Sequence, residues 1–133
     1  MTPEQVHSTI NSAHTYRREP LGRDDWKTPA EFDADGFGDC EDFAIAYFFA
    51  VGGRTRGARL AWCLNPESHM GRLINDSSDP LVLDVLADAP YRLSEKPELQ
   101  VIIQFDEVRG LALGRWRVLN IDPWLRVLER MNL

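Results

Sequence analysis

Residues 38–53, with the sequence GDCEDFAIAYFFAVGG, decide the fold of this chain. Beyond an acidic first turn, the positions from Cys40 to Val51 are nearly all apolar, and the pair Gly52-Gly53 that follows is a typical helix stop. A helix that is apolar on all sides is usually buried on all sides. The segment therefore predicts a buried central helix with Cys40 in its first turn.

Weaker patterns on both sides of this helix predict the other elements. Apolar residues at spacings of three and four predict an amphipathic helix within residues 3–18, entered through Thr2 and Pro3. Residues 18–38 are rich in proline, glycine and aspartate, which predicts an irregular segment with a short helical turn at 29–32. The remaining predictions are strands at ARLAWCL (58–64), HMGRLI (69–74), PLVLDVL (80–86), ELQVIIQFDE (98–107) and RWRVLNI (115–121), and a short closing helix in PWLRVLERMNL (123–133).

The order of these elements indicates an α+β fold, because the helices come first and the antiparallel strands follow. A chain of 133 residues has the size of one domain, and we expect residues 1–133 to form a single one. With 44% hydrophobic and 27% charged residues, the composition is typical of a soluble globular protein.

Charge and cysteine content exclude several classes of protein. The formal charge of -6 argues against a nucleic-acid partner, and no segment is long enough to suggest a membrane partner. With only two cysteines, Cys40 and Cys63, we expect neither a disulfide framework nor a zinc site with paired cysteines, and no organic cofactor. No signal peptide is visible, which predicts a cytoplasmic protein, or a periplasmic one if a leader has been removed.

Cys40 is a candidate nucleophile. A cysteine in the first turn of a helix lies beside unpaired backbone N–H groups and the positive end of the helix dipole, which favour the thiolate. Cysteine nucleophiles also need a base and a group that orients the base. Of the three histidines, His7 and His14 lie on the first helix as packing or surface residues, and His69 begins a predicted strand.

A hairpin register predicts the partner of His69. If residues 75–78 (NDSS) form the loop, Ile74 lies opposite Asp79 and His69 lies opposite Asp84. A carboxylate at that position can hold the imidazole. Asp84 also interrupts an apolar strand, where an unpaired charge would cost several kcal/mol. The sequence therefore predicts a triad of Cys40, His69 and Asp84.

The segments WKTPAEFDADGFGDCEDFAIAYFFAVGG (26–53), HM (69–70) and LVLDVL (81–86) resemble the bacterial transglutaminase-like cysteine peptidases, over roughly residues 10–105. The resemblance implies a papain-like, transglutaminase-type core in which a central helix that carries the cysteine packs on an antiparallel sheet. It implies Cys40 as nucleophile, His69 as general base and Asp84 as orienting acid.

The same resemblance implies a calcium ion next to the nucleophile. In the adhesin-cleaving branch of the family, the acidic residues on either side of the cysteine help to bind calcium, and they correspond to Asp39 and Glu41. A divalent ion would offset the negative charge that opposes thiolate formation, and calcium prefers carboxylate oxygens. The alternative is that Asp39 caps the helix while Glu41 and Asp42 complement its dipole.

The expected function is that of a thiol hydrolase that cleaves a peptide or amide bond in a protein or peptide substrate through an acyl-enzyme. An acyl transferase or deamidase acting on glutamine side chains, and a catalytically degenerate phage or bacterial protein-binding module, remain as alternatives. Trp26 is either a packing residue or a wall of the active site whose indole N–H serves the oxyanion.

Overall fold

The computed structural model describes residues 2–18, 26–53, 57–64, 68–74, 78–98, 100–105, 110–112 and 122–132. Its helices are α1 (Pro3–Ala13), α2 (Pro29–Asp35), α3 (Cys40–Ala50) and α4 (Asp122–Arg130). Its strands are β1 (Thr15–Tyr16), β2 (Phe37–Gly38), β3 (Ala58–Leu64), β4 (Ser68–Ile74), β5 (Leu81–Leu83), β6 (Tyr91–Arg92), β7 (Gln100–Phe105) and β8 (Gly110–Ala112).

The larger sheet has the strand order β6-β5-β4-β3-β7-β8, and each neighbouring pair in it is antiparallel. β1 and β2 form a separate parallel pair just ahead of α3. This architecture confirms the α+β prediction, with β3, β4 and β7 close to their predicted positions. β6 and β8 were not predicted, because strands of two or three residues carry too little periodicity to detect. The strand predicted at residues 115–121 lies outside the described residues.

α3 lies at the centre of this arrangement and confirms the predicted buried helix. It packs against β3 and β4 of the sheet and against α1 and α2. Every residue from Asp42 to Phe48 is buried. The helix ends at Ala50, and the following Gly52 and Gly53 adopt positive φ angles of 106° and 62°. Such angles favour glycine, so the glycine pair ends the helix as predicted.

The two other N-terminal elements differ in length from their predictions. α1 ends at Ala13 instead of continuing toward residue 18, because the chain turns into β1. α2 is longer than the predicted turn and reaches Asp35. Its start is fixed by a capping box between Thr28 and Glu31, and its end by Gly36 at a φ of 75°. Local capping chemistry therefore makes a helix where composition predicted an irregular segment.

The predicted register between β4 and β5 is wrong by two residues. Ile74 pairs with Leu81 and not with Asp79. β5 also ends one residue before Asp84, so Asp84 does not interrupt a strand and does not pair with His69. The prediction that placed these two residues directly opposite each other is therefore corrected.

The register differs because Asp79 and Pro80 make contacts outside the β4–β5 ladder. The Asp79 carboxylate accepts a hydrogen bond from the Ser94 N–H at 3.0 Å, and the Pro80 carbonyl accepts one from the Leu93 N–H at 2.9 Å. Pro80 has no N–H to donate to a ladder. Both residues are therefore held against the segment that follows β6, and pairing with β4 begins only at Leu81.

α4 confirms the predicted closing helix. Its Trp124 and Val127 are fully buried and pack in one cluster with Trp26 and Cys40. The C-terminal helix thus covers the residues around the start of α3. None of the helices in the described ranges is long and apolar enough to cross a bilayer.

Candidate active site

Cys40 is the first residue of α3, with 9% of its surface exposed. Its thiol therefore lies at the end of the helix where backbone N–H groups have no partner within the helix. Those groups and the helix dipole favour a negative charge on the sulfur. Cys40 packs in the core beside Trp26, Ala44 and Phe48. The predicted position of Cys40 is confirmed, and its role as nucleophile stays a prediction.

The chain approaches Cys40 through a contact that only glycine allows. A Cβ atom on Gly38 would lie 2.5 Å from Asp42 Oδ2 and 2.8 Å from a ring carbon of Phe32. Cβ atoms essentially never come that close to buried neighbours. Gly38 therefore lets the segment before Cys40 lie directly against the first turn of α3.

Asp42 connects a second segment to the same turn. Its Oδ1 accepts a hydrogen bond from the Lys27 N–H at 2.9 Å, and its Oδ2 accepts one from the Asp39 N–H at 3.1 Å. The first bond holds the neighbouring Trp26 next to the start of α3. The Trp26 carbonyl in turn accepts a hydrogen bond from the Arg130 guanidinium at 2.6 Å. Burial of Trp26 supports the packing interpretation, and the active-site wall stays a prediction.

The first turn of α3 holds three carboxyl groups, those of Asp39, Glu41 and Asp42. Asp39 is the N-cap residue, and its N–H donates to Asp42 Oδ2 at 3.1 Å, which is one half of a capping box. Burial and then the adjacent Glu41 raise the pKa of Asp39 to about 8. Burial and then the charge of Asp39 raise the pKa of Asp42 to about 7. Both shifts have the direction expected where like charges are buried together.

Glu41 provides the observation that bears on whether a cation could bind to these carboxyl groups. Its Oε2 atom is buried and has no hydrogen-bond partner among the described residues. A buried carboxylate oxygen without a donor is costly, and a cation would satisfy it. No three His, Cys, Asp or Glu side chains in the described ranges converge as metal ligands. Asp39 and Glu41 offer carboxylate oxygens of the kind that calcium prefers, and a calcium ion there would need carbonyls or water for the rest of its roughly six to eight oxygens.

Asp84 begins the turn that follows β5 and is 3% exposed. Its Oδ1 accepts a hydrogen bond from the Leu86 N–H at 3.0 Å, and its Oδ2 accepts one from the Tyr91 hydroxyl at 3.3 Å. Its carbonyl oxygen accepts from His7 Nε2 at 2.9 Å and from the Ala87 N–H at 3.2 Å. The carboxyl group and the carbonyl group of Asp84 thus each accept two hydrogen bonds, from donors in different parts of the chain.

Val85 connects the Asp84 turn to the core around Cys40. This side chain is partly buried and packs against the core cluster that contains Cys40 and Trp26. It also packs against the second cluster, which contains Phe43 of α3. The turn that begins at Asp84 therefore rests on the core around the first turns of α3.

His69 lies in β4, where its backbone pairs with Cys63 of β3. Its side chain lies outside what the structure describes, so its contacts with Cys40 and Asp84 stay predictions. Extending the corrected register by one residue places Asp84 opposite Gly71. Asp84 and His69 are therefore offset by two residues in this extended register. β4 is also a strand against which α3 packs, so the fold places His69 on an element beside the cysteine helix.

Tyr16 is a neighbour of Cys40 that the sequence did not reveal. Pairing of β1 with β2 places it across from Gly38, and its ring lies 6.2 Å from the ring of Phe43. Partial burial, and then the charges of Cys40 and Asp39, raise the pKa of Tyr16. A two-residue strand gives no periodic signal, so no pattern in the sequence could have found this contact.

The two histidines of the first helical region are packing residues, which was one of the two predicted alternatives. His7 is buried and stacks on Tyr47 with ring centroids 5.4 Å apart. His14 stacks on Phe32 at 3.9 Å, and its Nε2 lies 2.8 Å from Asp33 Oδ1. The contact of His7 with Asp84 spans most of the chain, and nothing in the local sequence indicates it.

Comparison with solved structures assigns the class of protein. The chain belongs to the transglutaminase-like cysteine peptidases. One similar structure is that of LapG from Legionella pneumophila, which is 33% identical over 97% of this chain and 76% of that chain, with a TM-score of 0.81. EGTA-treated LapG matches with 32% identity and a TM-score of 0.82, over 97% of this chain and 77% of that one. Calcium-bound LapG matches with 30% identity and a TM-score of 0.81, over 97% and 78%.

Other comparisons add no further relative. No protein-family model matches the chain, and no curated protein matches it. The match to LapG confirms the papain-like core predicted from the motifs around Cys40.

Proposed function

We propose that the protein is a thiol hydrolase that cleaves a peptide or amide bond in a protein substrate. The observation that carries the proposal is the position of Cys40, the first residue of a buried helix in a LapG-like fold. The buried Asp84, on a turn that packs against the same core, supports a triad completed by His69. Cys40 begins α3, His69 lies in β4, which packs against α3, and the turn that begins at Asp84 packs through Val85 against the core around Cys40.

The proposed reaction has two stages. The Cys40 thiolate attacks the carbonyl carbon while His69 holds the thiol proton, and His69 then gives that proton to the leaving amine. Water, deprotonated by His69, next attacks the thioester, and the proton returns to the Cys40 sulfur as the acid product leaves. Asp84 orients the imidazole and stabilises its charged form. Backbone N–H groups of the first turn of α3 are suited to hold the oxyanion.

We also propose that Asp39 and Glu41 bind a calcium ion. The Glu41 Oε2 atom supports it, because this buried oxygen has no hydrogen-bond partner among the described residues and a cation would satisfy it. LapG of Legionella has been solved with calcium bound and after EGTA treatment. When bound, the ion would supply positive charge beside the cysteine turn, which favours the thiolate of Cys40.

Thiol labelling tests the nucleophile without a known substrate. We expect iodoacetamide to alkylate Cys40 much faster than Cys63 near neutral pH, with the labelled site identified by mass spectrometry. Cys40→Ser should remove the fast phase and the matched control Cys63→Ser should retain it. Equal, slow labelling of both cysteines would favour a catalytically degenerate binding module.

The bond that is cleaved requires a substrate. A Cys40→Ala variant should retain bound protein substrate, which can be identified by mass spectrometry of what co-purifies. Wild-type protein incubated with that substrate should then produce two fragments with a new N-terminus. A modified glutamine side chain in place of a cut would instead identify a deamidase or an acyl transferase.

A further inference from the structure

The Asp84 carboxylate is fixed at both oxygens by donors that belong to the scaffold. Its Oδ1 accepts from the Leu86 N–H at 3.0 Å, two residues on, which is an Asx turn within its own loop. Its Oδ2 accepts from the Tyr91 hydroxyl at 3.3 Å, which comes from a different element. The first bond ties the carboxylate to its backbone, and the second ties it to the sheet.

Tyr91 is itself held rigidly. It lies in β6, where it pairs with Val82 of β5, and its side chain is buried. Its ring packs in a cluster with Ala61 and Val82, and the Lys96 ammonium lies 4.4 Å from the ring centroid. The hydroxyl therefore projects from a ring that is packed on its apolar side and covered by a cation.

His7 fixes the main chain of the same residue from α1. Its Nε2 lies 2.9 Å from the Asp84 carbonyl oxygen, which can only accept, so this nitrogen carries the proton. Its ring stacks on the buried ring of Tyr47. Asp84 is thus held by its own turn, by β6 and by α1, which is more support than the end of a three-residue strand needs.

We propose that Tyr91 is a positioning residue for the reaction, whose hydroxyl fixes the Asp84 carboxylate in the orientation that holds the His69 imidazole. A carboxylate has about four lone-pair directions, and the bonds from Leu86 and Tyr91 use one on each oxygen. The bonds from Leu86 and Tyr91 therefore orient the Asp84 carboxylate independently of His69, and they determine the direction from which it accepts an imidazole N–H. This inference rests on the proposed triad.

Tyr91→Phe tests the inference, because it keeps the ring and removes only the hydroxyl. The measurement is the rate constant for iodoacetamide alkylation of Cys40, from mildly acidic to mildly alkaline pH. Four variants are compared with wild type: Tyr91→Phe, Asp84→Asn, the double variant, and Tyr47→Phe. Tyr47 is a matched control, since its buried hydroxyl donates to Asn11 Oδ1.

Tyr91→Phe should slow alkylation at neutral pH by about fivefold, the factor for one hydrogen bond of ordinary net strength. Asp84→Asn should slow it more, and the double variant should be no slower than Asp84→Asn alone. The midpoint of the pH profile should move in the same direction in both single variants, which a purely structural role would not produce. Tyr47→Phe should leave the rate and the midpoint unchanged.

The outcomes separate the two proposals. If Asp84→Asn reduces alkylation but Tyr91→Phe does not, the positioning role is wrong and the triad stands. Equal losses in Tyr91→Phe and Tyr47→Phe would also overturn it, because general loosening would then explain both. If Asp84→Asn leaves Cys40 reactivity unchanged, the triad itself fails, and the role of Tyr91 fails with it.

Discussion

α2 and α3 begin with the same capping arrangement in opposite electrostatic surroundings. In α2, Thr28 and Glu31 form the box, and the Thr28 N–H lowers the pKa of Glu31. In α3, Asp39 and Asp42 form the box, and burial raises the pKa of both, to about 8 and about 7. The first arrangement favours the charged form of its carboxyl group, whereas the second buries two carboxyl groups beside Cys40 and disfavours their charged forms.

The start of α3 carries more partly or fully buried carboxyl groups than capping of the helix requires. A helix needs one cap, and Asp39 alone would serve. Glu41 adds a buried oxygen that has no hydrogen-bond partner among the described residues. Such local conflicts are typical of functional sites. Substitutions at the two helix starts should therefore respond differently to packing, calcium and pH.

The largest effect is expected for Gly38→Ala. The new methyl group would lie 2.5 Å from Asp42 Oδ2 and 2.8 Å from the buried ring of Phe32, so the turn before Cys40 must shift. We expect a loss of about 3 kcal/mol in the free energy of unfolding, the upper part of the range for overpacking. Urea unfolding measures it.

Gly36→Ala is the matched control at the end of α2. A Cβ there meets nothing within 4 Å, but the φ of 75° is unfavourable for alanine. That substitution should cost about 1–2 kcal/mol. A loss at Gly38 equal to or smaller than the loss at Gly36 would contradict the close approach that packs the chain against α3.

The second largest effect is expected from calcium, which should stabilise the protein through the start of α3 and not through the start of α2. If the ion binds at Asp39 and Glu41, a hundredfold excess over Kd stabilises the folded protein by about 2.7 kcal/mol. EGTA should therefore lower the melting temperature and slow Cys40 labelling together. Thermal melting with and without millimolar calcium measures the first effect. Identical melting curves would remove the metal from the account and leave the triad untouched.

Sequence patterns predicted the part of the molecule that depends on local chemistry. The apolar run after Cys40, the glycine pair that ends it and the acidic first turn located α3 and its nucleophile candidate correctly. The β3–β4 pair was also located correctly, because its strands are long and rich in apolar residues.

What the sequence could not predict depends on contacts between distant segments. Asp79, which the prediction paired with Ile74, instead accepts a hydrogen bond from Ser94, 15 residues away. The burial of His7 follows from its contact with Asp84, 77 residues away. Neither hydrogen bond can be recognised from the spacing of apolar and polar residues in the surrounding sequence. The same is true of the Tyr91 hydroxyl, whose partner is known only once β6 is placed beside β5.

Substitution of the caps compares the two boxes directly. Thr28→Ala should cost about 1 kcal/mol with or without calcium, because it removes an ordinary N-cap. Asp39→Asn should cost almost nothing in EGTA, since asparagine caps a helix as well as aspartate and carries no charge. In calcium, Asp39→Asn should lose the added stability that the wild type gains. Melting curves of both variants under both conditions test this, and a calcium-dependent effect of Thr28→Ala would contradict it.

The smallest expected effect is the pH dependence that Glu31 adds to α2. The Thr28 N–H bond, and to a lesser extent Arg130, lower the pKa of Glu31 below its ordinary value of 4.5. Because the folded state favours the charged form, Glu31 contributes stability above pH 4.5 that is lost as the pH falls through its folded pKa. Its side chain is exposed to solvent, so the contribution should be only about 0.3–0.5 kcal/mol.

Glu31→Gln retains a capping side chain, so the difference in unfolding free energy between wild type and Glu31→Gln should be positive at neutral pH and approach zero in acid. Urea unfolding at both pH values measures that difference. A difference that grows as the pH falls would mean that the folded state does not favour the charged form of Glu31. The start of α2 could then no longer serve as the ordinary capping arrangement with which the start of α3 is compared.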